Sequence, residues 1–261
     1  MTYVGIRGHR GAGKSTVAYL LAKTINYLLT EEGDAMEFDS RFHTWCNIFR
    51  QDETVLNDLD LDRVIIEGFG DGPKMMANML TGIPFEDMNN DYKKDHTIIN
   101  LKDFKVIEDG SIPENAGCWD AKAYFMHTVA STDPEPLTDD VYMTLREFIL
   151  YFGIYVMQNA FGRNVWVKSL IANNKYYNGL FQDDCNRYKI FPDIKASSEI
   201  TYIKDKGGVI IKVSRPGHKK VGGMDLLRGD SRYDYEVVID GELESLSSQI
   251  LKIANEIIDR K

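Results

Sequence analysis

The segment Gly8-His9-Arg10-Gly11-Ala12-Gly13-Lys14-Ser15 fits the pattern G-x-x-x-x-G-K-[ST], and each part of that pattern has a mechanical use at a phosphate. The glycines let the backbone curl so that successive N–H groups face phosphate oxygens. A short strand-like run, Tyr3-Val4-Gly5-Ile6, comes before the loop, and the helix that opens after it adds the positive end of its dipole. The Lys14 ammonium can reach the outer phosphates of a nucleoside triphosphate, and the Ser15 hydroxyl can ligate magnesium. Gly11, Ala12, Gly13 and Thr16 would supply backbone or hydroxyl contacts. At the tip of the loop, Arg10 is read as a phosphate contact; His9 is as readily an exposed tip residue. ATP and Mg2+ are the expected cofactors.

Such a loop needs elements to hold it. Val17, Leu21, Ile25 and Leu28 recur at helical spacing over 15–29, and Gly33 ends that run. A second amphipathic helix is expected around 40–51, followed by an acidic loop. Arg63 to Gly68 reads as a short buried strand, and a helix with proline in its first turn spans Pro73 to about Leu80. Thr138 is the expected N-cap of a helix running to about Asn159, with Val141, Leu145, Phe148, Phe152 and Tyr155 as its apolar stripe. Another helix is expected over 164–174. Strands are expected at Tyr188–Phe191, Val209–Val213 and Glu236–Ile239, with helices at Glu199–Lys206 and from Leu243 onward. Strands alternating with helices predict an α/β fold with a parallel sheet covered on both faces.

In a sheet of that kind ligands sit beyond the carboxyl ends of the strands. That rule singles out Glu67, Asp193 and Arg215, each at the end of a predicted strand. An acid ending the strand beside the loop-bearing strand orients magnesium. Asp193 is assigned that role, with Glu67 as the competing choice and a helix N-cap as the bland alternative for Asp193. The stretch 81–138 reads as irregular, with loops and short helices, and holds Trp119, Tyr124 and Phe125. These rings would stack a base or form a small local core.

The 261 residues carry a formal net charge of −9 with 43% hydrophobic content. The charge argues against coating a nucleic-acid polymer, while a local cluster of Arg and Lys still suffices for a small anion. Cys46, Cys118 and Cys185 form no C-x-x-C pair, so reduced thiols are expected, and the five histidines lack zinc-ligand spacing. Residues 1–30 carry the loop in place of a leader, and no apolar run approaches a membrane span. A cytoplasmic protein without membrane partners is expected; a homodimer is left open.

Read from end to end, the chain resembles the deoxynucleoside monophosphate kinases of tailed bacteriophages. The likeness rests on the ordered blocks Phe69-Gly70-Asp71-Gly72-Pro73-Lys74, Leu80-Thr81-Gly82-Ile83-Pro84-Phe85-Glu86, Leu145-Arg146-Glu147 through Gly153, Trp166-Val167, Pro192-Asp193-Ile194-Lys195 with Glu199, and Gly207 through Gly217. The C-terminal Ile239 to Leu246 extends it. The resemblance implies a P-loop kinase fold: a five-stranded parallel sheet flanked by helices, with an inserted substrate-binding and lid region. The chain would be one domain over 1–261, with 69–165 mostly the monophosphate-binding insertion. It further implies Mg2+-dependent phosphoryl transfer from ATP to a nucleoside 5′-monophosphate, in the host cytoplasm if phage-encoded. By family position Lys74 and Arg146 would grip the monophosphate, and Arg215 would contact adenine or a phosphate. Arg163 and Lys168 are weaker candidates for the same grip. Lys195 stands where the family has arginine, keeping the charge while losing the bidentate fork. Ala196-Ser197-Ser198 and Gly153-Ile154-Tyr155 also depart from the family pattern, in the region that selects the nucleoside. Two other readings stay open: a P-loop kinase for another small phosphorylated substrate, and a nucleotide-binding regulatory protein without transferase activity.

Overall fold

A computed structural model describes residues 1–30, 35–56, 61, 63–107, 110, 140–162, 164–171, 188–217 and 231–260. The chain divides into two compact units, Met1–Phe69 with Asn178–Lys261, and Gly70–Tyr177.

The first unit is built on five strands: β1 (Thr2–Arg7), β2 (Val64–Ile66), β6 (Tyr188–Phe191), β7 (Val209–Ser214) and β8 (Tyr235–Val238). They form one sheet in the order β2-β6-β1-β7-β8, and every pairing is parallel. Strand β1 lies at the centre, with Gly5 opposite Phe191 on one side and Ile210 on the other. Side chains alternate between faces, as the two-residue strand period requires. Val4, Ile6, Tyr188, Ile190, Val209, Ile211 and Val213 point into a core closed by helices α1 (Lys14–Thr30), α2 (Ala35–Gln51) and α7 (Leu243–Ile258). Leu20, Leu21, Ile25, Phe42, Ile250 and Ile257 bring the stripes of those helices into it. On the opposite face, Tyr3, Phe69 and Phe191 pack with Tyr202 of helix α6 (Ser197–Asp205). Gly5 lets that helix approach, since a Cβ there would fall 2.6 Å from Ile203 Cδ1.

The second unit has its own core of Ala77, Met88, Ile99, Met143, Leu145 and Phe148. It contains α3 (Asp71–Thr81), α4 (Asp91–His96) and α5 (Leu145–Tyr151), followed by a π-helical stretch, Phe152–Gln158, and a helical run over 165–171. Three short strands, β3 (Ile98–Asn100), β4 (Lys105–Ile107) and β5 (Tyr142–Thr144), form an antiparallel sheet with β3 in the middle.

The structure differs from the sequence expectation at three places. The stretch 81–138 is not all loops and short helices, because β3 and β4 lie within it. The loop between them is turned by Asn100 and Asp103, whose side-chain oxygens accept the N–H groups of Lys102 and Lys105 at 3.1 and 3.0 Å. The helix expected from Thr138 begins instead at Leu145, and Thr138 itself lies outside the described residues. Thr144 is the N-cap: its Oγ1 accepts the Glu147 N–H at 3.2 Å while Glu147 Oε2 accepts the Thr144 N–H at 2.9 Å. This reciprocal capping box satisfies two donors and fixes the start. Val141 is buried as expected, but on the approach to β5 and not on a helix. Helix α6 also starts two residues earlier than Glu199.

Candidate active site

Beyond β1 the chain turns through Gly8–Gly13 and enters α1 at Lys14. Gly11 and Gly13 take φ of 78° and 92°, a region L side chains avoid. Gly8 is needed for a different reason: a Cβ there would fall 2.6 Å from the Val213 carbonyl oxygen. Ala12 is buried against the main core and pins the loop from below. The Ala12 N–H donates to His9 O at 3.1 Å, and the first i→i−4 bond of the helix runs from Val17 N–H to Gly13 O at 3.0 Å. Lys14, Ser15 and Thr16 therefore present the opening N–H groups of α1, the end where an anion is favoured.

The Lys14 side chain is half-buried and curls back over the loop. Its Nζ donates to the carbonyl oxygens of Gly8 at 3.1 Å and His9 at 3.0 Å, and lies 3.5 Å from Asp193 Oδ1. Asp193 follows β6, the neighbour of β1, after Phe191-Pro192. Its second oxygen, Oδ2, pairs with Lys195 Nζ at 2.8 Å. Burial would raise the Asp193 pKa, but the adjacent Lys195 and Lys14 ammoniums outweigh it and hold the carboxyl below the ordinary aspartate value. Asp193 is thus kept anionic beside the loop. The next residue is fixed too: Ile194 is buried, and its N–H donates to Ile6 O of β1 at 2.9 Å.

Glu67, the competing acid, follows β2. Its Oε2 accepts from Lys189 Nζ at 2.6 Å, and that lysine is only 5% exposed. The carboxylate is thereby committed to neutralising a buried cation. Arg215 lies immediately past β7, exposed, at the same carboxyl edge of the sheet as Lys14 and Asp193. Ser15 is exposed at the helix start, with Arg10 and Thr16 half-buried near it in sequence. Among the described residues no group of three or more His, Cys, Asp or Glu gathers as a metal-ligand cluster. A magnesium ion shared between phosphates, water and one or two protein oxygens needs no such cluster, and Ser15 with Asp193 fits that kind of donor set.

Lys74 and Arg146 lie in the second unit, each within a charged network. Lys74 Nζ donates to Asp71 Oδ1 at 3.1 Å and Asn89 Oδ1 at 2.7 Å. Arg146 pairs with Asp95 through Nε and with Asp91 Oδ1 at 3.0 Å, and Lys94 reaches the same Asp91 oxygen at 2.7 Å. Burial would raise the Asp91 pKa, but bonds from Lys94 and Arg146 drive it far below the usual range. Lys94, pushed down mainly by its burial, was not anticipated from the sequence. Its signal was the spacing Asp91-x-x-Lys94, which puts both side chains on one face of a short helix. Lys168 is exposed. Trp119, Tyr124, Phe125 and Arg163 lie outside the described residues, as do Cys118 and Cys185, whereas Cys46 is a buried free thiol.

Sequence blocks far apart converge within this second unit. Trp166 lies over Gly72, where a Cβ would come within 2.5 Å of its ring, and its Nε1 donates to Gly153 O at 3.1 Å. A Cβ on Gly153 would in turn meet Pro73 at 3.3 Å. Neither a scan of protein-family models nor a search of curated proteins returns a match for this sequence. Among the described residues no helix is long and apolar enough to cross a membrane.

Proposed function

We propose that the chain is a P-loop kinase of the phage deoxynucleoside monophosphate kinase type. In this reading it moves the γ-phosphoryl group of ATP to a nucleoside 5′-monophosphate. The observation that carries the proposal is the approach of Lys14 Nζ to Asp193 Oδ1, 3.5 Å apart, from the ends of two adjacent parallel strands. A loop lysine and an acid on the neighbouring strand end are the two charges that a nucleoside triphosphate and its metal require together.

In the reaction an acceptor phosphate oxygen bonds to the γ-phosphorus of ATP as the bond to the β,γ-bridging oxygen breaks, and ADP leaves with that electron pair. Lys14 neutralises charge on the outer phosphates, turning from the loop carbonyls toward them. The loop N–H groups and the start of α1 orient the triphosphate. Ser15 and Asp193 would hold Mg2+, which when bound screens the β- and γ-oxygens. Arg10 and Arg215 would add positive charge to the donor, and Lys195, already on Asp193, would supply a further cation. In this reading Lys74 and Arg146 grip the acceptor phosphate.

A second reading, ATP binding without transfer, draws on Arg146, whose guanidinium is engaged by Asp91 and Asp95. ADP release followed across a panel of nucleoside and deoxynucleoside monophosphates separates the two. Release dependent on one base supports the kinase; Mg·ATP binding without release for any acceptor supports the second reading.

A further inference from the structure

Asp193 owes its position to a five-residue turn, Pro192 to Ala196, between β6 and α6. Ile194 anchors the middle of the turn through its N–H bond to Ile6 and its buried side chain. The far end is held differently. Ala196 occupies the N-cap of α6, where Ser, Thr, Asp or Asn would ordinarily provide an oxygen, and alanine has none. Glu199 reaches back instead: its Oε2 accepts the Ala196 N–H at 3.0 Å and the Lys195 N–H at 2.7 Å.

The bond to Ala196 is ordinary helix capping. The bond to Lys195 is not, because that N–H lies outside the helix. It fixes the backbone of the residue whose Nζ sits on Asp193 Oδ2 at 2.8 Å. The chain of contacts therefore runs from Glu199 Oε2 through the Lys195 backbone and side chain to the carboxylate beside Lys14.

We infer that Glu199 is a positioning residue for Asp193, holding the 193–195 turn so that the carboxylate is aimed at the magnesium of a bound nucleotide. This rests on the kinase reading of the Lys14–Asp193 site. Residues that orient a metal-holding group from behind cost about 10–100-fold in metal affinity when removed.

The experiment is calorimetric titration of ADP and ATP at stepped Mg2+ concentrations, with thermal unfolding of each variant. In the wild type Mg2+ tightens nucleotide binding; if it does not, the site reading itself fails. In Glu199→Ala the Mg2+ concentration for half-maximal tightening rises roughly tenfold or more, while affinity for metal-free nucleotide stays near wild type. Glu199→Gln, whose amide oxygen can accept the same two N–H groups, stays within about threefold of wild type. The double variant Ala196→Ser with Glu199→Ala regains a helix cap but not the bond to Lys195. It recovers thermal stability, which keeps the test open if the single variant folds poorly, yet retains the raised Mg2+ requirement. Two results overturn the inference while leaving the site reading intact: an unchanged Mg2+ midpoint in Glu199→Ala, or full recovery of that midpoint in the double variant.

Discussion

At the scale of single residues, the site turns on which carboxylate is available to a metal. Asp193 and Glu67 both follow strands of the parallel sheet, and sequence position alone does not separate them. Their partners do. Asp193 faces Lys14 and Lys195, both beside the loop, whereas Glu67 is tied to the buried Lys189. Asp193→Asn should lower turnover about tenfold or more and raise the Mg2+ requirement. Glu67→Gln should act chiefly on stability, because it replaces the charged partner 2.6 Å from the buried Lys189 ammonium with a neutral amide. Steady-state kinetics over a Mg2+ series, paired with thermal unfolding, distinguishes them; the opposite pattern would move the metal role to Glu67. The buried Lys189 is what could not be foreseen: a lysine in an apolar strand run reads as exposed until its neighbour across the sheet is known.

Between elements, the second unit depends on contacts that cross long stretches of sequence. Asp91 and Asp95 of α4 hold Arg146 of α5, and Lys94 completes the network. Because the folded-state pKa of Asp91 is depressed, its contribution to stability is present above the unfolded aspartate value of about 3.9. It is lost as pH falls through the depressed value. Carbon-detected NMR titration should find Asp91 still ionised below pH of about 3.9, and Arg146→Met should shift its midpoint upward. An ordinary midpoint in the wild type would contradict the network. The Gly72–Trp166 contact gives a mechanical counterpart. Gly72→Ala places a Cβ against the indole and should cost about 1–3 kcal/mol in denaturant unfolding. A neutral substitution would show that Trp166 moves aside at no cost.

The same scale shows what the sequence could and could not convey. The sheet strands are readable because Val209–Val213 and Tyr188–Phe191 are mainly apolar runs, each broken by one lysine and bordered by turn residues (Gly207-Gly208 before the first, Pro192 after the second), close to what buried parallel strands require. Strands β3, β4 and β5 are not legible because each is three residues long, too short to display a period, and, unlike the wholly apolar Val64–Ile66 of β2, each includes a polar residue. The sequence places the start of α5 too early because Val141 continues the helical stripe of Leu145 and Phe148 by coincidence of spacing. The capping box Thr144-Leu145-Arg146-Glu147 was the better local signal. In the site, Lys14 and its loop were legible from type and spacing, while the Glu199 clamp on the turn was not. Its meaning depends on an absent cap at Ala196 and on where the Lys195 ammonium points.

For the molecule as a whole, the proposed reaction needs a nucleoside triphosphate bound at the loop that follows β1. Ligand that binds only the folded state must stabilise it, by about 2.7 kcal/mol at a concentration near 100 times its Kd. Mg·ATP should therefore raise the unfolding temperature of the wild type, and Lys14→Ala should abolish turnover with its fold retained. The most direct test of phosphoryl transfer is ADP release by purified protein with Mg·ATP across nucleoside and deoxynucleoside monophosphates. Release strictly dependent on an acceptor, selective for base and lost in Lys14→Ala is the expected result. ATP binding with no acceptor-dependent release for any monophosphate, or full release by a folded Lys14→Ala protein, would contradict it.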